Sequence, residues 1–170
     1  VPCYNEEENI RPFREEIRRV FRESFSDKYT LELLYIDDGS RDGTLERIRE
    51  LAREDPDVKY LSFSRNFGKE AALYAGLEHA FGDYVAVMDV DLQDPPSLAK
   101  ALESGEYDVA AARREDRKGE PPVRSFFARL FYRLIRKISD VDIVDGARDF
   151  RLMTRQYVES LLELKEYNRF

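Results

Sequence analysis

The chain has 170 residues, 42% of them hydrophobic and 37% charged, with a net charge of −7. That is enough length and apolar content for one domain with a core, and it excludes a disordered segment. The acidic balance excludes nucleic acid as a general partner, since a phosphate backbone requires a basic footprint, and the single Cys3 excludes an internal disulfide framework and points to a reducing compartment.

Val1 to Tyr4 reads as the end of a first strand, followed by a helix that Asn5 caps, with Glu6, Glu7 and Glu8 against the positive end of its dipole. Ile10, Phe13, Ile17, Val20 and Phe21 recur at helical spacing. Thr30 to Ile36 is a second strand that runs into Asp37-Asp38-Gly39-Ser40, and a helix carrying Leu45, Ile48 and Leu51 covers about Asp42 to Arg53. Val58 to Phe63 is a third strand, Ser64 to Lys69 a loop, and Glu70 to Phe81 an Ala-rich helix. Tyr84 to Met88 is nearly all apolar, as a buried parallel strand is, and it ends in Asp89-Val90-Asp91-Leu92-Gln93-Asp94-Pro95-Pro96. A short helix over Pro96 to Glu103 follows, then a fifth strand over Tyr107 to Ala112 and a long helix from Pro121-Pro122 to Ile138. A short strand over Phe150 to Met153 and a helix over Tyr157 to Leu164 complete the pattern. No run approaches the ~20 apolar residues that span a bilayer, and no signal peptide opens the chain. With no initiating Met, a start partway through a strand and no final helix-stop signal, the chain reads as a fragment truncated at both ends.

Alternating strands and helices predict an α/β fold, a mostly parallel Rossmann-like sheet with helices on both faces. All strands then point one way and their carboxyl ends share a rim, which is where open α/β sheets bind ligands. Tyr4-Asn5-Glu6, Asp37-Asp38, Ser64-Arg65 and Asp89-Asp91 fall on that rim. Asp89 and Asp91 flank one residue, so in extended backbone they lean to the same side. Two hard oxygen ligands there suit Mg²⁺ or Mn²⁺, with Gln93 able to add a carbonyl oxygen. A solvated acidic turn is the competing reading of an Asp-x-Asp alone.

At Asp37-Asp38-Gly39-Ser40 a carboxylate can accept from a ribose or a base N–H; a helix cap by Ser40 or Asp42 competes but leaves Asp37 unexplained. Neither G-x-G-x-x-G nor G-x-x-x-x-G-K-[ST] occurs, so a nucleotide's diphosphate must be held by a metal and basic side chains. Arg forks suit phosphate oxygens, which singles out Arg113, Arg117, Arg148 and Arg151, with pairing to Glu115 and Asp116 as the alternative for the first two. The helix after Pro122 carries Phe127, Leu130, Phe131, Leu134 and Ile138 along one stripe and Arg124, Arg129, Arg133, Arg136 and Lys137 as positive charges. Such a basic amphipathic helix lies readily on an anionic membrane surface, although a core helix with a solvated back has the same pattern. The one histidine, His79, falls mid-helix, which disfavours a thiol nucleophile at Cys3.

Val1-Pro2-Cys3-Tyr4-Asn5-Glu6-Glu7, Asp37-Asp38-Gly39-Ser40 with Asp42 and Thr44, Ser64-Arg65-Asn66-Phe67-Gly68-Lys69 and Met88 to Pro96 together resemble the family 2 inverting glycosyltransferases. The resemblance is to the membrane-associated branch that transfers a sugar from a nucleotide sugar to polyprenyl phosphate, which includes dolichyl-phosphate mannose synthases and bactoprenol glucosyltransferases. Gly146 to Met153 and Asn168-Arg169-Phe170 resemble the bacterial members. It implies a GT-A fold as a single catalytic domain over 1–170, with 1–112 the nucleotide-binding half and 113–170 the acceptor-side half.

The resemblance also implies nucleotide binding by Pro2, Tyr4, Asn5, Glu6, Asp37, Asp38, Lys69 and Asp89. Asp89, Asp91 and Gln93 would hold the metal; Asp91 and Asp149 would be catalytic, Asp149 as the candidate base; and Arg113, Arg117, Arg148 and Arg151 would meet the diphosphate or acceptor phosphate. The expected partners are a nucleotide sugar (a UDP-sugar before GDP-mannose), a polyprenyl-phosphate acceptor and the cytoplasmic face of a membrane, with an oligomer compatible. The alternatives are a saccharide hydroxyl acceptor, a nucleotide-sugar-binding module without catalysis, or a Mg-binding receiver-like signalling domain. The last would need a Lys where the fifth strand ends in Ala111-Ala112-Arg113.

Overall fold

Apolar periodicity decides where each element buries itself. A computed structural model describes residues 1–90, 107–113 and 147–164. In chain order these form β1 (Pro2–Cys3), α1 (Ile10–Ser24), β2 (Leu33–Asp37), α2 (Thr44–Glu54), β3 (Val58–Ser62), α3 (Lys69–His79), β4 (Tyr84–Val87), β5 (Val109–Arg113), β6 (Ala147–Thr154) and α4 (Arg155–Glu163). The helices expected over 96–103 and 121–138 lie outside the described residues.

The first half is a parallel sheet, β1-β2-β3, with Cys3 beside Asp37 and Asp37 beside Ser62. Helices α1 and α2 cover it. Ile10, Phe13, Leu33, Tyr35, Ile48, Leu51 and Val58 form their shared core. Tyr35 meets the edge of Phe13 at 6.2 Å between ring centroids, and its hydroxyl donates to the Ile10 carbonyl at 3.4 Å. The second sheet has the order β4-β6-β5, and α3 and α4 bury Leu73, Leu77 and Val158 against Val85, Val87 and Met153. Arg155 ties α4 to the turn before β4, donating to the carbonyls of Ala80 and Gly82 at 2.7 Å each.

Four expectations change here. β6 runs antiparallel to both its neighbours, so the strands do not all point one way. Because it threads between β4 and β5 in the opposite sense, its start, and not its end, reaches the carboxyl ends of those strands. It is also eight residues long where the apolar pattern gave four, since Arg148, Asp149 and Arg151 interrupt that pattern. β4 is buried on one face only: Val85 and Val87 are covered by the helices, while Tyr84 and Ala86 are exposed. Finally, α1 begins at Ile10, and Asn5 does not cap it, because its backbone lies at φ 56° and its side chain is engaged elsewhere.

Between β2 and β4 lies an apolar cavity of about 990 Å³, with Leu34, Ile36, Leu77 and Val85 among its walls. Asp37, Asp38, Lys69 and Asp89 do not line it.

An ion cluster fastens α1 to the start of β3. Asp55 is 4% exposed and accepts from Nε of Arg14 and Nε of Arg18 at 3.1 Å each, while Arg18 also reaches Asp57 at 2.7 Å. Burial alone would raise the Asp55 carboxyl, but hydrogen bonds from Arg18 and from the Asp57 amide, with the charges of both arginines, hold it below the usual carboxylate range. A depressed acid contributes stability above its unfolded pKa of about 3.9 and loses it as pH falls through the lower folded value. Asp55→Ala is therefore expected to lower the unfolding free energy at pH 7 by about 2 kcal/mol, below the range for fully buried pairs because the arginines can reach water. Urea titration should show that deficit shrinking as the pH falls below the unfolded carboxylate value of about 3.9 and wild-type Asp55 itself takes up a proton.

Candidate functional site at the carboxyl rim

The rim is built outward from the end of β2. Asp37 and Asp38 are 1% and 4% exposed, and a carboxylate so buried needs donors. Asp37 accepts from the Ser40 amide at 3.1 Å and from the Ser62 hydroxyl, at the end of β3, at 2.9 Å. Asp38 uses one oxygen for the Phe67 amide at 2.7 Å and the other for the Gly68 amide at 2.9 Å. The two acids thereby fasten both the turn that follows β2 and the loop that precedes α3. Gly39 makes that packing feasible. Its φ is +67°, and a Cβ there would stand 2.3 Å from the Arg65 carbonyl carbon.

A second zipper joins the segment after β1 to the entry of α2. The Asn5 amide donates to Ser40 Oγ at 3.0 Å, and Asn5 Oδ1 accepts from the Arg41 amide at 2.9 Å. The Glu6 amide donates to Thr44 Oγ1 at 2.7 Å, while the Glu6 carboxylate accepts from Asn9 at 2.6 Å. Glu7 accepts from the Gly43 amide at 3.0 Å, and Asp42 accepts from the Thr44 hydroxyl at 2.6 Å and its amide at 3.0 Å. Pro2 is half-buried beside Ile36, and Tyr4 stands 41% exposed at the head of this zipper. Cys3 lies beneath it, and burial pushes its thiol up to about 12, which keeps it protonated and out of nucleophilic chemistry.

Lys69 and Asp89 meet across the rim. Gly68 takes φ +96°, the chain turns into α3, and the Lys69 ammonium lies 2.9 Å from Oδ1 and 3.0 Å from Oδ2 of Asp89. Beside this pair Arg65 stacks on Phe67, 4.7 Å from its ring centroid. Ladder register brings a further acid to the same end. The last β4–β6 pair is Val87 with Arg151; Asp89 follows Val87 by two residues and Asp149 precedes Arg151 by two in the antiparallel strand. Between the Ala111–Arg151 and Arg113–Ala147 pairs β6 carries two extra residues, so Arg148 and Asp149 sit in a bulge, an irregularity common beside active sites. Arg113 closes β5 opposite Ala147, and Arg151 is half-buried between Val87 and Ala111. Asp91, Gln93 and Arg117 lie outside the described residues.

The structure thus brings Tyr4, Asn5, Glu6, Asp37, Asp38, Lys69 and Asp89 to one rim, and gives Asn5, Asp37 and Asp38 partners within the protein. Sequence reasoning missed the anchoring parts played by Ser62 and Glu7. Ser62 carried no signal, being one polar residue at a strand end.

Residues 1–162 match the family model described as Glycosyl transferase family 2. The chain belongs to that family. The receiver-like signalling alternative falls with this membership. The glycosyltransferase chain is 46% identical over its whole length to a putative glycosyltransferase of Bacillus subtilis, CsbB, covering 51% of it. It is 45% identical over its whole length to the bactoprenol glucosyl transferase of Shigella phage SfV, covering 55% of it. The chain therefore spans about half the length of these curated relatives.

Among solved structures it resembles a mannosyltransferase of Pyrobaculum calidifontis in complex with GDP-Man and Mn²⁺, at a TM-score of 0.60 and 25% identity over 94% of this chain and 44% of that one. It also resembles, in fold, glucosyl-3-phosphoglycerate synthase of Mycobacterium tuberculosis, at a TM-score of 0.61 and 23% identity over 91% of this chain and 55% of that one. The architecture is GT-A-like, an α/β fold with a parallel sheet flanked by helices.

For a divalent ion the donor chemistry at the rim fits in part. Asp89 is a hard oxygen donor whose side chain is 35% exposed, and its contact with an ammonium marks a place built for positive charge. Among the described residues no group of three or more His, Cys, Asp or Glu converges to complete such a site.

Asp38→Asn exchanges two charge-assisted bonds for one neutral acceptor and a misplaced donor. It is expected to cost about 2 kcal/mol and to speed hydrogen exchange at the Phe67 and Gly68 amides selectively, measured by NMR against the β2 amides.

Proposed function

We propose that the chain is the catalytic domain of a metal-dependent inverting glycosyltransferase that moves a sugar from a nucleotide sugar, a UDP-sugar by preference, to polyprenyl phosphate. The observation that carries this reading is the convergence of Tyr4, Asp37, Lys69 and Asp89 on one rim in a chain 45% identical throughout to a bactoprenol glucosyl transferase. In this reading 1–112 is the donor half and 113–170 the acceptor half.

Pro2, Tyr4, Asn5, Glu6 and Asp37 form the wall for base and ribose, and Asp38 holds the loop that closes it. Asp89, with Asp91 and Gln93, would hold Mg²⁺ or Mn²⁺, which when bound offsets charge on the departing diphosphate. Lys69, Arg113 and Arg117 would meet the same anion, since a diphosphate here has no glycine loop to cradle it. Arg148, near the start of β6, and Arg151, at its last pair with β4, would suit the acceptor phosphate.

The chemistry asks little of a base. A phosphate monoester has a second pKa of about 6, so an acceptor oxygen is already ionised at neutral pH. It attacks the anomeric carbon from the face opposite the diphosphate; the new C–O bond forms as the bond to the diphosphate oxygen breaks, with inversion. Asp149 then orients the acceptor and its arginines more than it removes a proton.

Membrane contact rests on the sequence pattern over 123–138, since no helix among the described residues is long and apolar enough to cross a membrane. The acceptor places the enzyme at the cytoplasmic face.

The test incubates membranes containing the full-length protein with polyprenyl phosphate and labelled UDP-glucose, UDP-N-acetylglucosamine or GDP-mannose. Label should enter the lipid phase from a UDP-sugar and fall by at least ~10²-fold in Asp91→Asn. Label on a water-soluble saccharide, or an active Asp91→Asn, would overturn the acceptor or the metal respectively.

A further inference from the structure

Among the described residues Asn5 is the one non-glycine residue with a left-handed backbone, at φ 56°. Asparagine tolerates that region better than most residues, yet it persists there only where its neighbours over-determine it. Two contacts to the turn after β2 do so. The Asn5 amide donates to Ser40 Oγ at 3.0 Å, and Asn5 Oδ1 accepts from the Arg41 amide at 2.9 Å. The backbone on either side of Tyr4 is fixed as well: the Cys3 carbonyl accepts from the Asp38 amide at 2.8 Å, and the Glu6 amide donates to Thr44 Oγ1 at 2.7 Å. Ser40 holds a second thread, since its own amide donates to Asp37 Oδ1 at 3.1 Å. One serine thus ties the segment that carries Tyr4 to the buried acid at the end of β2. All this fastening leaves the Tyr4 side chain unused: it is 41% exposed, and none of the hydrogen bonds or ring contacts among the described residues involves it.

We propose that Ser40 and Asn5 are positioning residues that present Tyr4 to the base of the nucleotide, an inference that rests on the reading of this rim as a nucleotide-sugar site. A planar base is the part of the donor that matches a phenol ring, because stacking serves any heteroaromatic face and neither ribose nor diphosphate offers one. Stacking contributes most when the segment bearing the ring is already in place, since ordering it on binding subtracts from affinity. Here folding does the ordering. Asn5 turns the chain, Ser40 and Arg41 hold the turn, and Asp37 is held through the same serine, so the backbone of Tyr4 and the acid keep one relative placement. Without Ser40 Oγ the Asn5 amide loses its acceptor and the left-handed turn can relax, and binding then has to restore it. The effect falls on affinity more than on transfer at saturation, because ribose and diphosphate separate the base from the anomeric carbon.

The experiment titrates the full-length protein with UDP and with GDP, in the presence of Mn²⁺, by isothermal titration calorimetry. Wild type is compared with Ser40→Ala, Tyr4→Ala and the double variant. Ser40→Ala should weaken the preferred nucleotide by about 5-fold, raise the KM of its sugar in step and keep kcat near wild type. Ser40→Thr, which retains the hydroxyl, should restore the affinity. In the Tyr4→Ala background Ser40→Ala should have no further effect, because the ring it positions is gone. Equal losses in the two backgrounds, or an unchanged affinity in Ser40→Ala, overturn the proposal while nucleotide binding by wild type keeps the enzyme reading intact. Should circular dichroism find Ser40→Ala unfolded, Asn5→Gly takes its place in the same cycle. It permits the left-handed backbone but drops the bond to Arg41, and a loss that persists without Tyr4, or no loss at all, overturns the proposal equally. Failure of wild type to bind either nucleotide overturns both readings.

Discussion

A carboxylate buried at the end of a strand has to be given donors, and the rim of this protein follows from that requirement. Asp38 finds its donors in the Phe67 and Gly68 amides, 29 and 30 residues further along the chain, and so ties the exit of β2 to the entry of α3. Asp37 does the same between its own turn and Ser62 at the end of β3. Each bond is charge-assisted and shielded from water, the setting in which such bonds are strongest. The same low dielectric makes a missing partner costly. The loops of the rim are consequently set by the need to satisfy two acids, with apolar packing of α1 and α2 supplying the platform below.

The antiparallel course of β6 matters for the same reason. A sheet whose strands all pointed one way would bring only strand ends to the rim. By inserting one reversed strand between β4 and β5, the fold delivers the beginning of a later segment to the place where β4 ends. Asp89 and Asp149, 60 residues apart in the chain, then stand two steps beyond the same ladder pair. The bulge in β6 adds residues at that point without lengthening β5, a device that changes direction locally while preserving the register of Leu152 and Met153 against the core.

Most of the first half could be read from sequence because its signals are local. Leu33 to Ile36 is a continuous apolar run flanked by polar turns, and Ile48 and Leu51 lie at helical spacing. The second half was harder. Strand direction is set by pairing partners distant in sequence, and nothing in Phe150 to Met153 announces that its neighbours run the other way. The charges of Arg148 and Asp149 also made the start of β6 look like loop, since they interrupt the apolar pattern by which a strand is recognised. At the site, residue types were legible and their partners were not. Asn5 has the chemistry of a helix cap, yet with φ 56° it spends that chemistry on Arg41 and, through its amide, on Ser40. Asp38 looked equivalent to Asp37 in sequence, and only the fold shows that its two oxygens each hold an amide of the loop before α3.

Burial sorts the acids of the rim into two kinds with different physical capacities. Asp37 and Asp38 are almost wholly enclosed, and releasing either from its donors would leave an uncompensated charge in a poorly solvated place. They can hold geometry but cannot easily exchange partners. Asp89 is a third exposed and its partner is a solvated lysine, so its contact can be traded for another at small cost. The rim holds both kinds within a short stretch of chain. The enclosed acids hold the surrounding backbone, and the short path from Asp38 through Gly68 to Lys69 joins the enclosed part of the rim to the exposed one.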